Sequence, residues 1–288
     1  CDCGASGRAT RLRGVILSRV VLALALFGGS AYAATNGLDA ATVTERADRD
    51  TAFGPAVICD LETVEAVAAR HPGIRQFVLA VTEDFSDTTG TVEVAIRTDG
   101  GDWLCRNVAE ETALFGRNGT RPLVERRSGD GTTPAGVFPL GEVTAWDGQT
   151  LNMFGNRPDP GVRAAYRSVR PEDCWGATPN ASRYQHLINQ RGCGGPDEWL
   201  QAFGEAYSHA AIIGANLDPI SGDEPGEPPY AAAIFLHRTS YTSSGAGKPT
   251  SGCVSLGYDD LVDTLRSIDP VLEPHFAIWP RWWLRSTA

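Results

Sequence analysis

The sequence predicts a mainly β domain with a few peripheral α-helices, and three observations predict it. β-Branched and apolar residues gather in runs of strand length, QFVLAVT at 76–82 and TVEVAIRT at 91–98. Two further apolar runs, AAIIGAN at 210–216 and AAAIFL at 231–236, are short and continuous, as buried strands are. The stretches between these runs are rich in Gly, Pro, Ser, Thr and Asp, which punctuate strands with turns. The chain has 288 residues, 42% hydrophobic and 21% charged, an ordinary globular composition able to bury a core without metals. Its 35 acidic and 25 basic residues leave a net charge of −10. That argues against a nucleic-acid partner, because phosphate neutralisation needs a basic surface.

Taken in order, residues 1–33 read as a secretory signal. Arg8, Arg11, Arg13 and Arg19 precede an apolar run at 20–27, and Ala31-Tyr32-Ala33 supplies the small-residue cleavage pattern. The run is shorter than the ~20 residues that span a bilayer. Membrane association is therefore expected only transiently, before cleavage, with an uncleaved anchor as the alternative. Export to the periplasm or cell wall follows. Residues 34–72 read as a linker with one short helix at 60–70 (DLETVEAVAAR). Leu61, Val64, Val67 and Ala68 share a face there, Asp60 caps the start and Pro72 stops the end. The two β-branched runs form a hairpin, continued by Trp103-Leu104-Cys105. Turn-rich residues 128–136 lead into a strand at 137–140, and residues 152–196 read as an extended irregular loop. A helix is expected at 197–207, a surface loop at 218–229, a helix after Cys253 carrying Leu261, Val262, Leu265 and Ile268, and a last strand at 275–279. One domain is thus placed at 73–282 and a tail at 283–288.

In an oxidising compartment disulfides persist. Five cysteines follow the signal: Cys59, Cys105, Cys174, Cys193 and Cys253. An odd count leaves one thiol over. The expected pairing is Cys59–Cys105 and Cys174–Cys193, with Cys253 free. No zinc-ligand spacing and no EF-hand spacing is present, so neither metal nor cofactor is expected.

Chemistry concentrates at His237 and Cys253. His237 ends an apolar strand, and Cys253 follows in Thr250-Ser251-Gly252-Cys253-Val254-Ser255-Leu256, a Gly-containing turn. A cysteine nucleophile needs a thiolate, and a nearby imidazolium lowers its pKa. The glycine turn would let main-chain N–H groups face an oxyanion. The bland alternative is a buried histidine and a structural cysteine. His209 and His186 read as structural and solvent-exposed respectively. Trp279, Trp282 and Trp283 read as packing at the chain end rather than a sugar platform.

These blocks resemble the L,D-transpeptidase (YkuD-like) catalytic domain. The His237 to Thr250-Ser251-Gly252-Cys253 spacing is similar to that family's signature. So is Gly129-Asp130-Gly131-Thr132-Thr133-Pro134-Ala135-Gly136-Val137-Phe138, and Gly116-Arg117-Asn118-Gly119 fits upstream. The likeness spans about residues 73–280. Ser251 stands where many members have His, and Ser255 where many have Arg. The resemblance implies the family's β-sandwich-like fold and an acyl transfer on peptidoglycan stem peptides, a donor tetrapeptide and an acceptor amine. Cys253 would be the nucleophile, His237 the base, oriented by a main-chain carbonyl near Arg238, and Gly252 and Cys253 the oxyanion donors. Thr250, Ser251, Arg238 and Ser255 are candidate substrate contacts. An L,D-carboxypeptidase using water, a sortase and a catalytically silent wall-binding module are the alternatives.

Overall fold

A computed structural model describes residues 60–179, 181–217 and 231–286. The expected signal, the linker at 34–58, Cys59 and the whole loop at 218–229 lie outside the described residues.

The described chain is mainly β, as expected. Its strands are β1 (Gln76–Thr82), β2 (Thr89–Arg97), β3 (Trp103–Val108), β4 (Ala113–Leu114), β5 (Thr120–Pro122), β6 (Thr133–Pro139), β7 (Val143–Thr144), β8 (Thr150–Leu151) and β9 (Met153–Gly155). They continue with β10 (Tyr166–Ser168), β11 (Asp173–Trp175), β12 (Leu187–Asn189), β13 (Glu198–Trp199), β14 (Ala210–Ile212), β15 (Phe235–Arg238), β16 (Val254–Leu256) and β17 (His275–Pro280). Three helices accompany them: α1 (Leu61–Arg70), α2 (Tyr258–Ser267) and α3 (Arg281–Ser286).

One large mixed sheet organises the body, in the order β10-β9-β14-β15-β16-β4-β2-β1-β17-β6-β5, with β3 added on β2. β1 lies deep in it, antiparallel to β2 and parallel to β17. Every residue of β1 is buried, which is why its sequence is a continuous apolar run rather than an alternating one. The strands next to the site alternate instead. On β15 Leu236 joins one core cluster and Phe235 another, and on β14 Ala211 and Ile212 divide the same way. Period-2 side-chain geometry thus sends Phe235 and Cys253 into a second core, away from Leu236 and Val254.

α1 matches its prediction. The Asp60 side chain accepts from Thr63 N at 3.2 Å and from Thr63 Oγ1 at 2.7 Å, an N-cap. Val64 and Val67 are buried in a third core cluster with Phe77, Leu79 and Trp279, so this helix packs on the body rather than standing apart in a linker. The chain end is also helical, and Trp283 of α3 stacks on Trp279 at 3.5 Å. Those tryptophans are packing, as expected.

The region 152–196 differs from its expectation. It forms short strands, two of which join β13 just beyond it in a separate three-stranded sheet, in the order β12-β11-β13. The Cys174–Cys193 disulfide ties this insert, as expected, and Cys105 is also disulfide-bonded. A buried ion network, not apolar periodicity, orders the segment. Arg167 bonds Asp147 and Asp173 at 2.7 Å each, and Trp146 Nε1 donates to Asp173 at 2.9 Å. The element expected as an α-helix at 197–207 is instead β13 followed by a 3₁₀ segment, Leu200–Tyr207, broken at Gly204 (φ 49). The strand expected at 137–140 begins at Thr133, ahead of Pro134. The strand expected at 231–236 shifts to Phe235–Arg238, which places His237 inside it rather than at its end.

Cys193→Ser should lower unfolding free energy by about 3 kcal/mol, the loop-closure entropy of a crosslink across a sequence separation of 19. Urea unfolding of the non-reduced protein measures this. An unchanged midpoint would show that the ion network alone holds the insert.

Candidate active site

The turn bearing Cys253 is built from hydroxyls and main chain contributed by distant segments. Thr250 Oγ1 accepts from Gly252 N at 3.1 Å and donates to the Cys253 carbonyl at 2.6 Å. Thr133 Oγ1 donates to the same carbonyl at 3.1 Å and accepts from Gly116 N at 2.8 Å. Thr250 N donates to the Phe115 carbonyl, and Arg117 N to the Thr250 carbonyl. Asn118 N reaches the Gly131 carbonyl, and Thr133 N the Gly119 carbonyl. The blocks at 116–119 and 129–138 therefore meet the 250–256 block in one hydrogen-bonded knot. Gly252 is required there: its φ is 150°, and a Cβ would lie 3.1 Å from the Thr132 carbonyl and 3.3 Å from Arg126 Nη2.

β15 and β16 run parallel, with Leu236 opposite Val254 and His237 opposite Ser255. Cys253 immediately precedes Ser255's pleat on the same face, so the thiol and the imidazole share one side of neighbouring strands. His237 Nδ1 lies 2.8 Å from the Arg238 carbonyl. A carbonyl only accepts, so Nδ1 carries the proton and Nε2 presents its lone pair. Nε2 has no hydrogen-bond partner among the described residues. The expected orienting carbonyl near Arg238 is thus Arg238's own.

Both groups are buried, Cys253 at 3% and His237 at 6% exposure. Their cover is aromatic. Phe235 meets Phe154, Trp175 and Tyr207 edge-on at 5.1, 4.9 and 5.7 Å, and Tyr207 meets the His237 ring at 5.4 Å. Trp175 comes from the disulfide-tied insert, and Glu198 from β13, which pairs with it. Tyr207 Oη donates to Glu198 Oε2 at 2.6 Å, and burial pushes the Glu198 carboxyl above its usual range.

This cover decides the protonation state. Desolvation pushes the Cys253 thiol up to about 12, with the Glu198 charge acting in the same direction. Desolvation pulls His237 down to about 4, although the Arg238 and Ala206 carbonyls favour its protonated form. Cys253 Sγ donates instead to the Ala233 carbonyl at 3.4 Å. The resting pair is therefore a neutral thiol beside a neutral imidazole. The expected preformed thiolate–imidazolium pair is corrected: burial of both groups away from water disfavours separating the two charges.

The other expected contacts divide. Ser251 is partly exposed and accepts from Arg117 Nη1 at 2.9 Å. Arg238 is partly exposed, ion-paired to Glu205, and lies 5.1 Å over the Tyr258 ring. Thr250 is a turn cap. Ser255 is fully buried and accepts from Thr239 Oγ1 at 3.3 Å, so its hydroxyl is committed to the interior rather than offered to a ligand. The Gly252 N–H is occupied by Thr250, which leaves the Cys253 N–H as the candidate oxyanion donor of the expected pair. His209 is buried between Tyr166 and Tyr258 with Nε2 on the Pro158 carbonyl at 3.0 Å, and His186 is exposed, as expected.

Sequence reasoning missed Arg126, Glu198, Tyr207 and Gln185. Gln185 pins the strand entering the site: its Oε1 accepts from Trp175 Nε1 at 2.9 Å and from Ala233 N at 3.1 Å, while Ala233 holds a left-handed φ of 50°. No local signal marks these residues: Gln185 lies in a stretch that reads as an irregular loop, Glu198 and Tyr207 in one that reads as a helix, and Arg126 between the two motif blocks. No protein-family model matches the chain, and comparison with curated proteins and with solved structures yields no match.

Two outcomes follow from the buried neutral pair. Alkylation of native Cys253 by iodoacetamide should titrate well above the ~8.5 of an ordinary thiol. An apparent pKa of about 6 would show that the resting pair is ionised. Separately, an unfolded histidine takes up its proton as pH falls through about 6.5, whereas folded His237 resists until about 4. Stability conferred by the neutral ring is therefore lost as pH falls across that window, by on the order of 3 kcal/mol at most. Glu198, with its raised carboxyl, acts with the opposite sign. The wild-type minus His237→Gln difference in thermal stability isolates the histidine, and it should shrink from pH 6.5 to 4.

Proposed function

We propose that the protein is an exported cysteine acyltransferase of the L,D-transpeptidase type, with that family's β-sandwich-like catalytic fold, working on peptidoglycan stem peptides in the periplasm or cell wall. One observation carries the reading. The sequence blocks that resemble the family, separated by more than a hundred residues, meet in one knot around the free thiol of Cys253, with an oriented imidazole on the next strand. Export is compatible with the Cys174–Cys193 disulfide and with disulfide-bonded Cys105.

The chemistry follows from the neutral resting pair. Cys253 Sγ attacks the carbonyl of the L-centre preceding the terminal D-Ala of a tetrapeptide, and its proton passes to His237 Nε2 as the S–C bond forms. The proton moves with the attack, because a separated thiolate is disfavoured in this enclosure. The Cys253 N–H donates to the oxyanion. The C–N bond then breaks, the imidazolium returns its proton to the departing amine, and D-Ala leaves a thioester. An amine of a second stem peptide attacks the thioester, gives its proton to His237 and takes the acyl group. His237 then reprotonates the Cys253 sulfur. The product is a 3→3 crosslink.

The deep burial of the thiol favours a second reading, a catalytically silent wall-binding module. Mature protein from residue 34 is incubated with disaccharide-tetrapeptide and the products are read by mass spectrometry. A crosslinked dimer lacking one D-Ala is expected, lost with Cys253→Ala and reduced at least a hundredfold with folded His237→Ala. Tripeptide and free D-Ala without dimer would make water the acceptor, as in an L,D-carboxypeptidase. No turnover, with wall binding retained, would establish the silent module.

A further inference from the structure

Arg126 is a buried cation that its surroundings leave incompletely neutralised. It is 1% exposed. Its Nη1 has no hydrogen-bond partner among the described residues. The bonds it does make are long: Nε to Thr132 Oγ1 at 3.4 Å and Nη2 to Asp130 Oδ1 at 3.4 Å. Asp130 is itself engaged elsewhere, accepting from Arg127 N at 2.9 Å, Thr132 N at 2.8 Å and Thr132 Oγ1 at 2.6 Å. A guanidinium taken from water with one arm unmatched is costly unless an anion completes it. The guanidinium is not remote from the thiol. Its Nη2 lies 3.3 Å from where a Cβ on Gly252 would sit, and the guanidinium acts electrostatically on Cys253 and on Tyr184. The absence of a side chain at position 252 is what lets a cation from the β5–β6 connection approach the nucleophile's turn.

We propose that Arg126 is the carboxylate-recognition residue of the Cys253 site, its Nη1 arm receiving the free carboxylate of the residue expelled in acyl transfer. The assignment rests on the acyl-transfer reading for its substrate, and on the geometry alone for its ligand chemistry. A guanidinium matches a carboxylate with paired N–H donors. It would select acyl donors that end in a free acid directly after the scissile bond and discriminate against the same donors with an amidated end. A group that only props the Asp130 turn would show no such preference.

Two measurements on the mature protein test this. The first needs no substrate: Cys253 is alkylated with iodoacetate and with iodoacetamide, which differ in carrying a carboxylate. Wild type should favour iodoacetate over its ratio with a free thiol, and Arg126→Met should reduce that preference roughly tenfold or more. Met fills similar volume without charge, so the fold is expected to hold. Arg126→Lys, which keeps the charge, should restore part of the preference. The second compares turnover of tetrapeptide with free and amidated termini. Arg126→Met should lower kcat/KM for the free acid roughly tenfold more than for the amide. An alkylation ratio unchanged in Arg126→Met overturns the proposal, as does an acid-over-amide preference that survives the substitution. A ratio that collapses without turnover of either peptide upholds the anion site and defeats the peptidoglycan reading instead.

Discussion

Desolvation of a thiol and an imidazole on one face of neighbouring strands governs the rest of this site. β15 and β16 supply the juxtaposition, but strands alone would leave that face wet. Trp175, Phe235, Phe154 and Tyr207 close it, through edge-to-face contacts that aromatic quadrupoles favour over flat stacking. Once closed, the enclosure penalises either charged form, so Cys253 rises and His237 falls. The thiol then takes the nearest neutral acceptor, the Ala233 carbonyl, and the imidazole turns its proton to the Arg238 carbonyl.

The insert is the source of that enclosure. It carries Trp175, pairs with the strand that bears Glu198, is tied by Cys174–Cys193, and is ordered by Arg167 between Asp147 and Asp173. Buried ion pairs of this kind add little net stability but fix one arrangement, since removing either partner strands a charge. Rigidity matters here because the aromatic cover keeps Cys253 and His237 out of water. The same economy of polar groups appears beneath Cys253, where Thr133 and Thr250 both donate to one carbonyl and hold the turn. Arg126 stands apart from that completeness, a buried donor without its full set of acceptors.

The fold was legible where the chain satisfies itself locally. α1 follows from its apolar stripe and the Asp60 cap, β1 and β17 from continuous apolar runs, and α2 from Leu261, Val262 and Leu265 on one face. The leftover thiol was legible from counting cysteines. The insert was not legible, because strands of two or three residues held by a disulfide and ion pairs carry no periodicity to read. The stretch at 197–207 misled for a related reason. Its apolar spacing suits a helix, yet pairing of Glu198 with Trp175 and the turn at Gly204 override local preference. Ser255 was read as a ligand contact by its place in a motif, whereas the register beside His237 turns it inward to Thr239.

By itself the sequence determined the mainly β class, the free Cys253, and the pairing of a histidine strand with a glycine–cysteine turn. These are properties of composition and local pattern. Only the tertiary structure decided which distant segments meet Cys253, that Gly252 gives its N–H to Thr250, and that Arg126 lies against the turn. It alone decided the charge state of the pair. Protonation depends on how much water a fold excludes, and that exclusion is made by Trp175 and Tyr207, residues far from Cys253 along the chain and adjacent to it only after folding.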